Sequence, residues 1–313
     1  MKDCSLENNS LIIPKFLKEN DLVGIVSPAG KIDAVHIENA CEYLMSKNLR
    51  SVIAPNAGNS FNNFSATDEQ RAADLQMMIN NPDIKAIWCT RGGYGAIRLI
   101  DKIDFSPLKK YPKWLIGFSD ITVLHSVMRE KYGLASIHGS MCISLSKGNP
   151  SETGVDTLWE LLFGKIPEYE LPNHSLNRLG KSTGMLIGGN LSLLCALSGS
   201  KYDFKPKGKI LFIEEVSEYL YRFDRMIQSL KISGKLAGLS GLIIGQITEM
   251  KDNETPFGMS AYEIVADAVS NYDYPVMFDF FAGHSKINEP LLLGAQVVME
   301  VSETKSILKI LKN

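Results

Sequence analysis

The chain contains no apolar run approaching the about 20 residues that a membrane-spanning helix requires, which argues against an integral helical membrane protein. It also lacks an excess of charge of either sign. Its 33 Lys and Arg stand against 35 Asp and Glu, a net charge of −2, so neither nucleic acid nor an anionic membrane is an expected partner. Cysteine is scarce and unpaired in pattern: Cys4, Cys41, Cys89, Cys142 and Cys195 are odd in number, far apart and form no C-x-x-C. That spacing argues against a disulfide framework or a zinc site and favours reduced, buried thiols. The stretch Met1–Asn9 is polar, without the apolar core of a secretory signal, and a cytoplasmic location is expected. No fixed-period repeat and no low-complexity segment is found. Histidine is rare, with five residues, which narrows any search for a general base.

What is present is an ordinary enzyme-like composition, 45% hydrophobic and 22% charged, over 313 residues, long enough for about two domains. Apolar strands at Leu22–Gly30, which ends in a turn, Arg50–Pro55, Ile84–Cys89 and Trp114–Gly117 alternate with helical segments at Ala34–Lys47 and from Thr67 through Met78. Thr67 with Gln70 reads as a capping box, and Asn80-Asn81-Pro82 as the stop. Such alternation predicts a parallel sheet with helices on both faces and ligands at the carboxyl ends of its strands. The Pro- and Asn-bearing stretch from Phe163 to Thr183 reads as a linker. Beyond it come a helix at Leu191–Leu197, strands at Lys209–Ile213 and Gly241–Gly245, a helix at Tyr221–Lys231, and strands near Val276 and Ala295–Val301. The expected fold class is α/β, with a flavodoxin-like parallel-sheet domain over residues 1–165, a linker over 166–183, and a smaller α/β domain with a mixed sheet over 184–313.

One run carries the chemistry: Trp114-Leu115-Ile116-Gly117-Phe118-Ser119-Asp120-Ile121-Thr122. A buried strand reaches a glycine, then a serine, and a helix begins at once, which pushes the Ser119 hydroxyl out at the tip of a tight turn beside free helix-start N–H groups. A serine nucleophile needs a base. His125 lies on the helix that Ser119 opens and points back along it; His138 reads as a structural histidine; His36 and His174 sit in polar, surface-like contexts. His284, in a Gly-flanked loop after an apolar strand, has the exposure a base requires. An orienting carboxylate is offered by Glu214 or Glu215 at the end of the strand through Ile213, and strand alternation alone leaves the choice open. Oxyanion donors are expected from the N–H of Asp120 and from Gly92 or Gly93 in Arg91-Gly92-Gly93-Tyr94-Gly95. That glycine run lacks both G-x-G-x-x-G spacing and a Walker lysine, which disfavours a nucleotide-phosphate cradle. Arg91 is a candidate for holding the terminal carboxylate that an exopeptidase substrate presents, with Gly92 beside it.

Taken together, Ser27-Pro28-Ala29, Thr67-Asp68-Glu69-Gln70-Arg71, Arg91-Gly92-Gly93-Tyr94-Gly95, Gly117-Phe118-Ser119-Asp120, Gly188-Gly189-Asn190, Glu214-Glu215 and Gly283-His284 resemble the LD-carboxypeptidase family, which includes the microcin C self-immunity peptidases. The resemblance runs from about Leu22 to Ala295 in the family's order. It implies a two-domain α/β hydrolase in which Ser119 is the nucleophile, Glu214 the orienting carboxylate and His284 the base, with Gly93 and Asp120 as the oxyanion hole. It also implies a small peptide substrate, a homodimer, and no metal or cofactor. The implied bond joins an L-configured centre to a terminal D-amino acid in a murein tetrapeptide. G-F-S-D departs from the G-x-S-x-G of α/β-hydrolases, as the family does, and a glycine is expected near Ser217. Two other readings stand beside this one. A same-fold hydrolase of aminoacyl-nucleotides would need an aromatic platform from Trp88, Tyr94, Trp114 or Phe118, and a non-enzymatic peptide binder would not require both Ser119 and His284.

Overall fold

The computed structural model describes residues 11–146, 149–150 and 154–311; Cys4 and the polar N-terminal stretch lie outside them. The chain first lays down β1 (Leu22–Val26), α1 (Ala34–Ser46), β2 (Arg50–Ile53), α2 (Asp68–Asn80), β3 (Ile84–Cys89), α3 (Pro107–Lys110), β4 (Trp114–Gly117), α4 (Thr122–Tyr132) and β5 (Ser136–His138). A short hairpin, β6 (Leu145–Ser146) with β7 (Asn149–Pro150), and α5 (Val155–Leu162) follow. The remainder is β8 (Glu168–Pro172), β9 (Gly180–Asn190), α6 (Leu191–Ala196), β10 (Ile210–Val216), α7 (Leu220–Ile232), β11 (Gly241–Thr248), α8 (Ala261–Ala268), β12 (Val276–Met277), β13 (Leu291–Leu293), β14 (Gln296–Val301) and β15 (Lys305–Ile310).

The first sheet runs β13-β5-β4-β3-β1-β2. Strands β2-β1-β3-β4-β5 are parallel, the flavodoxin-like order, and put every β-to-α loop on one edge. β3 and β4 are buried almost throughout because helices cover both faces, which is why they read as continuous apolar runs. Thr67 and Gln70 form the expected capping box at the start of α2. The second sheet is mixed, in the order β12-β11-β10-β9-β14-β15-β8. Its β9-β10-β11-β12 part is parallel and its β9-β14-β15-β8 part antiparallel.

Two sequence expectations need correction. The stretch 166–183 is not a linker: it holds β8 and the start of β9, both members of the second sheet. β8 alternates exposed and buried residues, with Tyr169 and Leu171 inward, and the Tyr169 hydroxyl donates to the carbonyl of Pro290. Its closing proline and the polar residues after it gave it the composition of a loop. The 184–313 segment is also not self-contained in its hydrogen bonding. Its β13 returns to pair antiparallel with β5 at the edge of the first sheet. The apolar core follows suit. One cluster unites residues of the first sheet with Leu186, Phe212, Phe280 and Val297 from the second half, and a smaller one lies under α7 and α8.

Candidate active site

The carboxyl ends of β1, β3 and β4 bring three loops together, and these loops lock one another. Gly30 N–H donates to Gly92 O at 3.0 Å. Ser27 Oγ donates to Ala57 O and lies 2.6 Å from Thr90 Oγ1, so Thr90 is the partner that donates there. Arg71, fully buried on α2, ties the ring together, donating to Pro28 O, to Ala66 O at 3.2 Å and to Gly95 O at 3.1 Å, while pairing with Asp68. A charge this deep is tolerated because its donors are spent on fixed acceptors.

At the end of β4, Ser119 takes a left-handed backbone conformation, φ 61°. A non-glycine residue held there is strained, and the strain comes from a turn that must reverse between strand and helix within a few residues. Its neighbour Asp120 is buried, and its Oδ2 accepts the Ala96 N–H at 2.7 Å. That bond pins the serine turn to the glycine loop. Burial raises the Asp120 carboxyl to about 6, against the opposing pull of the Ala96 N–H and Arg71. Gly92 packs directly on the serine: a Cβ placed there would lie 2.9 Å from Ser119 Cβ and 3.0 Å from its Oγ.

From the second half, β10 delivers two buried glutamates with different partners. Glu214 Oε2 lies 2.7 Å from His284 Nδ1. A carboxylate accepts, so Nδ1 carries the proton of this contact. Glu215 turns the other way. Its Oε2 accepts from Ser192 N at 2.8 Å and Ser192 Oγ at 2.6 Å, and its Oε1 accepts from Asn190 Nδ2 at 3.0 Å. Glu215 therefore anchors the start of α6. Both are buried because β10 is covered on each face, so alternation could not separate them. The His284 loop is braced by Gly283 N–H to Asn288 Oδ1 at 3.0 Å and by Thr248 Oγ1 to His284 O at 2.9 Å. Phe118 covers the imidazole, ring centroids 4.8 Å apart.

Ser119 and His284 line one open cleft of about 540 Å³. Arg91, Gly92 and Gly93 form one wall and Ser285 and Lys286 another, with Phe118, Met141 and Ile143 as its apolar part. Arg91 Nη1 donates to Lys31 O at 3.1 Å. The other histidines are engaged elsewhere. His125 Nε2 lies 2.8 Å from Gly117 O, and burial lowers its pKa to about 4. His138 is fully buried between Phe118 and Phe212, and burial drives its pKa well below the usual imidazole value. His36 Nδ1 lies 3.2 Å from Leu145 O, and His174 stacks on Phe278. Of the aromatic residues considered for a platform, Trp88 and Trp114 are core residues whose indole N–H groups bond Ser140 O and Lys15 O, and Tyr94 is exposed beside Phe64. Ser217, near which the resemblance led to an expected glycine, is a serine at φ 58°. Among the described residues, no group of three or more His, Cys, Asp or Glu converges as a metal site.

Sequence reasoning missed Arg71 as the tie between loops, Asn288 as the brace of the histidine loop, and Lys286 in the cleft. Arg71 lay inside a quoted motif without a role, and nothing local in the sequence marks a buried arginine.

Comparison with known proteins agrees with this architecture. Residues 23–139 match the LD-carboxypeptidase N-terminal domain and residues 183–299 the LD-carboxypeptidase C-terminal domain. The chain is 30% identical over 300 residues to a probable murein peptide carboxypeptidase of Bacillus subtilis (strain 168), covering 95% of this chain and 94% of the relative. The crystal structure of a muramoyltetrapeptide carboxypeptidase from Oxalobacter formigenes superposes with a TM-score of 0.85 at 27% identity, covering 93% of this chain and 99% of that one. The microcin C7 self immunity protein MccF, solved in complex with aspartyl sulfamoyl adenosine, has a TM-score of 0.85 over 96% of this chain and 99% of its own, at 23% identity, and shares the fold. The chain belongs to the LD-carboxypeptidase family of peptidases.

Proposed function

We propose that this protein is a serine carboxypeptidase that cleaves an L,D-peptide bond and releases a terminal D-amino acid from a murein tetrapeptide. One observation carries the reading: the His284–Glu214 contact of 2.7 Å stands at the cleft that Ser119 enters from a strained, left-handed turn.

In this mechanism, Ser119 Oγ attacks the scissile carbonyl carbon while His284 Nε2 takes its proton. Glu214 holds the imidazole in the Nδ1–H tautomer and stabilises the imidazolium. The oxyanion is held by the N–H groups of Asp120 and Gly93. As the C–N bond breaks, His284 returns the proton to the departing nitrogen, leaving an acyl-serine. Water, deprotonated by His284, attacks that ester, and the proton passes back to Ser119 as the acid product leaves. The first half of the chain supplies the nucleophile and the second half the base and its carboxylate. Arg91 and Gly92 belong to the substrate-binding wall. The name of the Oxalobacter relative supports the murein substrate class. The aminoacyl-nucleotide reading has less support, since Phe118, the one of its four candidate aromatics that lines the cleft, already lies against His284.

The test is mass spectrometry of products from murein tetrapeptide, DL-linked analogues and a processed microcin. Wild type should release a terminal D-amino acid from the LD-linked peptide alone. Ser119→Ala should lower kcat by at least about four orders of magnitude. Ligand binding with no turnover by wild type, or turnover untouched by Ser119→Ala, refutes the mechanism.

A further inference from the structure

The cleft is one-sided in charge. Two cations, Arg91 and Lys286, stand among its lining residues, and no carboxylate does. They come from two different loops, one after β3 and one carrying His284. Arg91 precedes Gly92, which packs on Ser119, and its guanidinium is partly committed to Lys31 O. Lys286 follows His284 by two positions and is exposed on a tight turn. In that turn Ser285 Oγ donates to Ile287 O at 2.7 Å and accepts from Ile287 N at 3.2 Å. The Gly283–Asn288 bond closes the base of the same loop. The ammonium is therefore carried on the same short, braced segment as the imidazole.

We propose that Lys286 is the specificity-determining residue that binds the terminal carboxylate of the departing amino acid, while Arg91 meets an anionic group on the acyl side. This rests on the peptidase reading above. The chemistry fixes the direction. His284 must reach the departing nitrogen to protonate it, so the departing residue lies on the imidazole side of the cleft. Its carboxylate is separated from that nitrogen by a single Cα. The cation that holds it is therefore expected on the imidazole's own loop, which carries Lys286, and not on the glycine loop that carries Arg91. An ammonium on a flexible stem suits a point contact of this kind.

The experiment compares an LD-linked tetrapeptide with its terminal carboxamide on wild type, Lys286→Gln, Lys286→Arg and Arg91→Gln. Lys286→Gln should raise KM for the free acid about tenfold or more, leave kcat within about threefold, and abolish the preference for acid over amide. Lys286→Arg should restore most of that preference. Arg91→Gln should slow both substrates alike. An active Lys286→Gln enzyme with the wild-type acid preference overturns this assignment and leaves the peptidase reading intact. A preference lost in Arg91→Gln instead overturns it too. Wild type inert on every LD-linked peptide overturns both.

Discussion

Gly92→Ala separates the geometry of the proposed nucleophile from the stability of the fold. Gly92 does not occupy the left-handed region, so alanine fits its backbone, and the obstacle is space alone. The added carbon would lie 2.9 Å from Ser119 Cβ, 3.0 Å from Ser119 Oγ and 3.4 Å from Asp120 N. Carbon atoms rest at about 3.5–4.0 Å, so the serine turn or the glycine loop must retreat by roughly 0.6 Å or more. Oγ can rotate away, but Cβ moves only with the backbone. Misplacing a reacting group by about 1 Å costs on the order of a hundredfold, so kcat should fall about ten- to a hundredfold with KM much less changed. Overpacking costs about 1–3 kcal/mol, offset by about 0.4–1 kcal/mol from the stiffer unfolded chain, so the net loss of stability stays below about 3 kcal/mol. Gly93→Ala gives the opposite balance. Its nearest contact is an ordinary 3.5 Å to Gly30 Cα, but its φ is 98°, where a side chain is strained, so stability falls as well. Gly58→Ala, exposed and with only Ile37 Cδ1 at 3.7 Å, is the neutral control. The assay is release of the terminal amino acid, alongside thermal melts. A Gly92→Ala protein that keeps wild-type kcat would refute the idea that this contact sets the serine's position.

The two adjacent glutamates should separate cleanly. Glu214→Gln should lower kcat by about three to four orders of magnitude with little change in Tm, because it removes the charge behind the imidazolium. Glu215→Gln should destabilise by about 1–3 kcal/mol, since its amide would face the donors Ser192 N–H and Asn190 Nδ2. The reversed pattern would show that the roles are exchanged. The third prediction concerns pH. The Asp120 carboxyl is raised from 3.8 to about 6, chiefly by burial, so the folded state binds its proton more tightly than the unfolded chain does. Its contribution is fully present below about pH 3.8 and is lost as pH rises through about 6, on the order of 3 kcal/mol. Asp120→Asn keeps an acceptor for Ala96 N–H and does not ionise. Its stability in urea relative to wild type should therefore rise between pH 4 and 7, and a pH-independent difference would refute the argument.

What could be read in advance follows from what is local. The parallel half was legible because strands buried on both faces appear as apolar runs, and because Thr67 and Gln70 mark a helix start by short-range bonds. The Ser119 turn was legible because strand, glycine, serine and helix are consecutive. Features that depend on distant partners were not legible. Nothing in Leu291–Leu293 says that it crosses to β5, and β8 is a strand only because β15 lies beside it. The division between Glu214 and Glu215 is of the same kind. It depends on Ser192 and Asn190 waiting on one side and His284 on the other.

The residues of the proposed triad come from both halves, yet a short path of contacts connects them. Thr122 starts α4 three positions after Ser119, and its Oγ1 accepts the Asn190 N–H at 3.0 Å. Gly189 makes that approach possible, because a Cβ there would lie 2.6 Å from the same hydroxyl. Asn190 is in register with Glu214 across β9 and β10, and Glu214 bonds His284. Each hydrogen bond on this path is buried except the part-buried Glu214–His284 contact at its end. Such a path sets the distance between hydroxyl and imidazole more tightly than two independently hinged bodies would. The crossing of β13 into the first sheet strengthens it, because hinging the halves apart would break a ladder of strand bonds as well as apolar contacts. Ser119 and His284 are thus held by one continuous framework that opens to solvent through the cleft they line.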